Sequence, residues 1–157
     1  MPDTPYSLHA IQLLSVDILE LHFSANGNSF DSSRVIEESM FQLIKKHTSY
    51  DDDLKRIGVK LEVLIGHEEE SDDEIEPLPF KLRVEVAGLF SVDENSFPVE
   101  HIEDWAIRNA PLILYPYVRE NVYSLATRCG FQGLILPLFE VPTIRAAKEA
   151  EPSQTDR

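Results

Sequence analysis

Apolar and polar residues alternate along four stretches of the chain and recur at helical spacing along a fifth. The clearest strand is 57–65, where Ile57, Val59, Leu61, Val63 and Ile65 fall on one face of an extended chain. Residues 79–90 repeat the pattern with Phe80, Leu82, Val84 and Val86. Residues 9–25 also alternate, but the phase changes: Leu14, Val16 and Ile18 set one phase, and Leu19, Leu21 and Phe23 the other. A strand cannot change faces without an extra residue, so a bulge or kink is expected near Ile18 and Leu19. Residues 40–46 stay ambiguous. Ile36, Met40, Leu43 and Ile44 have helical spacing, yet the same stretch suits a short strand. Residues 26–33, with Gly27, read as a loop, and 50–55, with three aspartates, as a turn.

The fifth stretch is a helix. Leu114, Val118, Val122, Leu125 and Ala126 share one helical face. Proline has no amide donor and suits a first turn, so Pro116 places the helix start near Leu114. The end is expected near Cys129, with Gly130 as a left-handed cap and Phe131 folded back onto the last turn. Residues 132–142 are apolar but broken by Gly133, Pro137 and Pro142, which makes them an extended strap. A short helix around Ile102, Trp105 and Ala106 is expected within 99–109, with Trp105 as a packing residue. Residues 143–150 read as a weak helix, 151–157 as a polar tail and 1–8 as a loose terminus with two prolines.

These residues resemble the SecB family of export chaperones. The resemblance rests on Pro111, Tyr115, Pro116, Tyr117, Arg119, Glu120, Arg128, Gly130 and Phe131, with Val84 to Val92 upstream, and extends over 80–141. It implies a strand at 40–46, since the family has four antiparallel strands before its long helix. The fold class expected is therefore α+β: a four-stranded antiparallel sheet packed by one long C-terminal helix plus a short second helix, in a single domain over 1–157. The resemblance also implies a dimer of dimers with the long helices at the dimer–dimer interface, and a face beside sheet and strap that holds extended, non-native chains without nucleotide.

Composition narrows the function classes. With 43% hydrophobic and 27% charged residues the chain suits a globular protein. No apolar run reaches the ~20 residues that span a bilayer, and the N-terminus lacks the pattern of a signal peptide, so membrane insertion is not expected and a cytoplasmic location is. The net charge is −14, which repels phosphate backbones and argues against nucleic acid. Half of that charge sits in the acidic run 68–76, read as a solvated loop between two strands. One cysteine, Cys129, excludes an internal disulfide. The histidines His9, His22, His47, His67 and His101 are scattered singly, without metal-ligand spacing. There is no glycine-rich phosphate loop and no nucleophile elbow. No catalytic residue, metal or cofactor is expected.

What remains is apolar surface with few elements to cover it, and such a patch marks an interface. The client-binding candidates are Phe41, Leu43, Leu134, Leu136, Leu138 and Phe139, with Met40 and Ile144 weaker. A strap has no regular face that hides every leucine, so replacing Leu136 and Phe139 by serine is expected to weaken client holding and leave the fold intact. Three roles compete: a holdase for unfolded precursors passed to the SecA motor, a SecB-like chaperone for one client such as an antitoxin of a toxin–antitoxin system, and a non-chaperone scaffold subunit. In exporting members, the resemblance implies, SecA docks on an acidic face of the sheet and on the C-terminal segment. Here Asp17 matches a family aspartate, but the next family glutamate falls on Leu21, with Glu20 one position out of phase. Lys81 and Arg83 stand on the last strand, exposed on the face opposite Phe80 and Leu82, where they reverse the local field. The C-terminal segment has no aromatic residue. Weak SecA binding by the usual surface is expected.

Overall fold

The computed structural model describes residues 6–25, 41–67 and 78–140. The alternating segments are strands β1 (Ile11–Ala25), β2 (Phe41–His47), β3 (Arg56–Ile65) and β4 (Phe80–Val92). They form one antiparallel sheet in the order β1-β4-β3-β2. The ambiguous stretch is thus a strand, paired from Phe41 opposite Ile65 to His47 opposite Val59. The β2–β3 turn is held by the Asp51 carboxylate, which accepts from the amides of Asp53 and Leu54 at 3.0 and 2.9 Å. Met40, Ile144, the loop at 26–33, the acidic run 68–76, the helix expected over 143–150 and the tail 151–157 lie outside the described residues, as do residues 1–5.

Alternation decides which sheet face is covered. Ile57, Val59, Leu61, Val63 and Ile65 are all buried, and so are Leu82, Val84, Val86 and Phe90 on β4, which pairs with β3, and Phe80 on the same face. On this face lie α1 (Ile102–Arg108), which buries Ile102, Trp105 and Ala106, and α2 (Ala110–Arg128). The contact at Gly88 is tight. A Cβ there would sit 2.6 Å from a Leu114 methyl and 3.1 Å from the Phe90 ring, so the glycine lets the helix settle on β4. Among the described residues no helix is long and apolar enough to cross a membrane.

Two expectations are corrected. The long helix starts at Ala110, not near Leu114, and Pro116 lies inside it. Pro111 takes the first-turn place that Pro116 was expected to fill, because only Asn109 separates the two helices. Strand β1 has two register shifts, not one. One lies between Ile18 and Glu20, where it was expected, and a second between Leu13 and Ser15. Leu14 and Leu19 are the extra residues. With both bulges, Ile11, Leu13, Val16, Ile18, Leu21 and Phe23 all lie opposite β4 residues of the helix-facing set. Ile18 and Leu21 nonetheless stay exposed, because α2 lies over β3 and β4 and leaves the middle of β1 uncovered.

The helix end is as the sequence implies. Gly130 has φ +87°, the Phe131 amide donates to the Ala126 carbonyl at 2.9 Å, and the Gly130 amide donates to Thr127 at 3.1 Å. These two bonds satisfy carbonyls that the helix itself leaves open. The Phe131 ring then packs between Phe23, at 5.1 Å, and Phe80, at 5.2 Å.

Candidate functional site

The strap 134–140 runs back along α2 toward the start of β2. Arg119 donates from Nε to the Leu136 carbonyl at 2.9 Å, and the Tyr115 hydroxyl donates to the Pro137 carbonyl at 2.6 Å. These residues are four apart on the helix, so they fall on one side of it. Burial holds the Tyr115 hydroxyl above its ordinary pKa. A chain pinned this way alternates. Leu134 and Leu136 are buried in the core, while Ile135 and Leu138 are 54% and 76% exposed. Phe139 closes the strap between Tyr115, at 4.7 Å, and Phe41, at 6.3 Å.

Of the client-binding candidates, the structure gathers Phe41, Phe139 and, two positions along β2, Leu43 beside the sheet edge. Leu138 stands exposed next to them. Leu134 and Leu136 point into the core, so exchange of Leu136 for serine is a core substitution that strikes the fold itself. The expectation that it leaves the fold intact is corrected: an extended segment does have two sides.

The opposite face of the sheet carries charge. Cross-strand pairing sets Glu20, Glu85 and Glu62 side by side in one row. Arg83 reaches all three, with Nη1 at 3.1 Å from Glu20, Nε at 2.5 Å from Glu62 and Nη2 at 3.5 Å from Glu85. Lys60 pairs with Glu85 from the other side. Glu62 is only 8% exposed, and the guanidinium satisfies it. That hydrogen bond first, and the surrounding carboxylates after it, hold the Arg83 pKa above its ordinary value. The Lys60 ammonium, ahead of Arg83, holds the Glu85 carboxyl below the usual range. Arg83 is therefore half-covered and internally neutralised, whereas Lys81 and Asp17 are exposed. The bulge at Leu19 also corrects the phase of Glu20. Asp17 lies opposite Ala87 and Glu20 opposite Glu85, which places both on this outer face.

The sequence model of the family described as preprotein translocase subunit SecB matches residues 24–144, well over half of the chain. The chain belongs to the SecB family. The protein-export protein SecB of Cupriavidus pinatubonensis is 36% identical over 61 residues, 39% of this chain and 34% of that protein. Its counterpart in Anaplasma phagocytophilum is 30% identical over 79 residues, 49% of this chain and 50% of that one. The matched segments thus span about a third to a half of the length of these relatives. Among solved structures, a SecB-like chaperone of Mycobacterium tuberculosis, in complex with a ChAD peptide from the HigA1 antitoxin, aligns with TM-score 0.60. The alignment covers 85% of this chain and 94% of that one at 18% identity, a likeness of fold.

Set within the SecB fold, the residues that sequence reasoning missed are the ones that hold others in place. Tyr115 and Arg119 belong to the family-like Tyr-Pro-Tyr-x-Arg-Glu run, and their four-residue spacing was the available signal. Glu62, Glu85 and Lys60 gave a weaker one: each is a charged position in an otherwise apolar alternation, on the side away from the core.

Proposed function

We propose that this SecB-family protein is an ATP-independent chaperone that holds unfolded polypeptides, with precursors for Sec-dependent export as its first class of client. The observation that carries this reading is the apolar surface beside an open sheet edge. Among the described residues β2 pairs on one side alone, and half-buried Leu43 and Phe139 and exposed Leu138 gather around buried Phe41 on or beside its covered face. An extended chain can add its backbone to such an edge while apolar side chains fill the contacts, with little demand on sequence. The peptide-bound state of the mycobacterial SecB-like chaperone supports the same kind of ligand for this chain. We further propose a homotetramer. The outward side of α2 carries Ile113, Tyr117 and Tyr123, and the middle of β1 carries Ile18, Leu19 and Leu21, all exposed. Two separate apolar patches suit two different subunit contacts.

The test is suppression of aggregation of a chemically unfolded protein on dilution, without nucleotide. Leu138→Ser is expected to weaken holding several-fold with an unchanged melting temperature, since Leu138 is outside the core. Equal holding by the variant would remove the strap from the binding face. Light scattering at micromolar concentration is expected to give four chains, and a stable monomer would count against the assembly. A second reading, a chaperone dedicated to one client, is favoured by the neutralised outer face, where Arg83 fills the place that an acidic docking surface would leave open. Recovery of client chains bound in the host separates the two: many precursors, or one small partner.

A further inference from the structure

Strand β2 carries a cation on its apolar side. Leu43 lies opposite Val63 and Lys45 opposite Leu61, and both partners belong to the buried face. Lys45 therefore continues the row of Phe41 and Leu43, at the edge left unpaired among the described residues, while Lys46, opposite Lys60, is on the outer face. Lys45 is exposed and forms no ion pair with any described residue. In a chain of net charge −14, an ammonium without an ion-pair partner among the described residues, beside two apolar residues, defines a local site of opposite sign.

We infer that the segment held along β2 is an extended chain with apolar residues at alternate positions and a carboxylate two residues from one of them. The inference rests on the holdase reading above and specifies its ligand. Side chains on one side of a strand recur every second residue, close to 7 Å apart. A guest strand paired to β2 sets its own alternate side chains opposite these, with Cβ atoms about 5 Å away. Guest side chains on that side then run along the edge of buried Phe41 and over half-buried Leu43, and the next meets exposed Lys45. An aspartate or glutamate there forms a cross-strand ion pair, and a lysine or arginine meets a like charge. The competing use of such a lysine is to keep the edge from pairing at all. The two uses differ in sign, because without a local contact the net charge favours a basic guest.

Two labelled peptides decide it, Glu-Thr-Leu-Thr-Leu-Thr-Glu and the same sequence with lysine at both ends. Each reads alike in either direction, so strand polarity does not enter. Fluorescence anisotropy with the full chain at low salt is expected to show the acidic peptide about five-fold tighter, near the upper range of an exposed ion pair, with the gap closing as salt is added. Lys45→Glu is expected to invert the order and Lys46→Glu to leave it unchanged, with circular dichroism checking that each variant is folded. The inference is overturned if the basic peptide binds tighter to the unaltered protein, or if Lys46→Glu shifts the preference as much as Lys45→Glu. It is overturned, with the holdase reading intact, if neither peptide binds while an unfolded protein is still held. If the folded protein holds neither peptide nor unfolded protein, both readings fall.

Discussion

Gly88 lies against Leu114 of the long helix, and its missing side chain leaves room for that contact. Leu114 is fully buried against it, so an added side chain has to displace a packed methyl. Gly88→Val is expected to cost about 1–3 kcal/mol, the range for overpacking a filled core, read from urea unfolding. On the other face, Glu85 couples stability to pH. Its pKa in the folded chain is lowered, chiefly by Lys60. A lowered carboxyl contributes stability that is present above its unfolded value, ~4.3, and is lost as pH falls through the folded value. Stability measured from pH 7 down to 3 is therefore expected to decline below about 4.5. Lys60→Gln is expected to flatten the part of that decline due to Glu85. An unchanged acid limb in the variant would assign the decline to other carboxyls. Both features lie beyond sequence reading. A glycine in a strand pattern shows that something comes close without showing what, and a glutamate shows its partner only once strands are in register.

At the scale of elements, legibility follows periodicity. β3 and β4 were readable because they alternate without interruption and every second residue is buried. The bulge at Leu19 was readable because it breaks the alternation. The one at Leu14 was not, because Leu13 and Leu14 are both apolar and the inserted residue keeps an alternating run in view. The helix start was misplaced because two prolines five residues apart compete for one first turn. The strap failed for another reason. It has no ladder of its own, and its alternation is imposed by two side chains of α2. That argument predicts how the strap comes loose. Tyr115→Phe removes one bond to a strap carbonyl and is expected to cost about 0.5–1.5 kcal/mol. Arg119→Ala removes a charged donor and is expected to cost about 1.5–3 kcal/mol. Leu136→Ala, a core truncation, is expected to cost about 2–5 kcal/mol. Hydrogen exchange separates the causes: the first two are expected to release strap amides with little change in β3 and β4, and the third to lower protection throughout.

At the scale of the whole molecule, the two faces of the sheet differ in chemistry, and the charged outer one bears on the expectation about SecA. Sequence reading placed Lys81 and Arg83 there as exposed cations that reverse an acidic surface, with Glu20 out of phase. The bulge at Leu19 restores Glu20 to that face, so the carboxylates are present: Asp17, Glu20, Glu62 and Glu85. Three of them are bound to Arg83. A basic surface that approaches must either displace the guanidinium, leaving Glu62 buried without its counter-ion, or meet a face whose charge is largely cancelled. Like charges brought together at an interface can cost several kcal/mol, roughly. Titration of SecA from the same organism is therefore expected to show weak binding at physiological salt. Arg83→Gln leaves Glu20 and Glu62 without their cation, so it is expected to tighten SecA binding at low salt while costing fold stability, because Glu62 loses its bond. If the unaltered protein bound SecA at submicromolar affinity, and Asp17→Ala abolished that binding, the carboxylate outside the Arg83 clasp would suffice for docking. The neutralised face would then no longer favour a dedicated client over export.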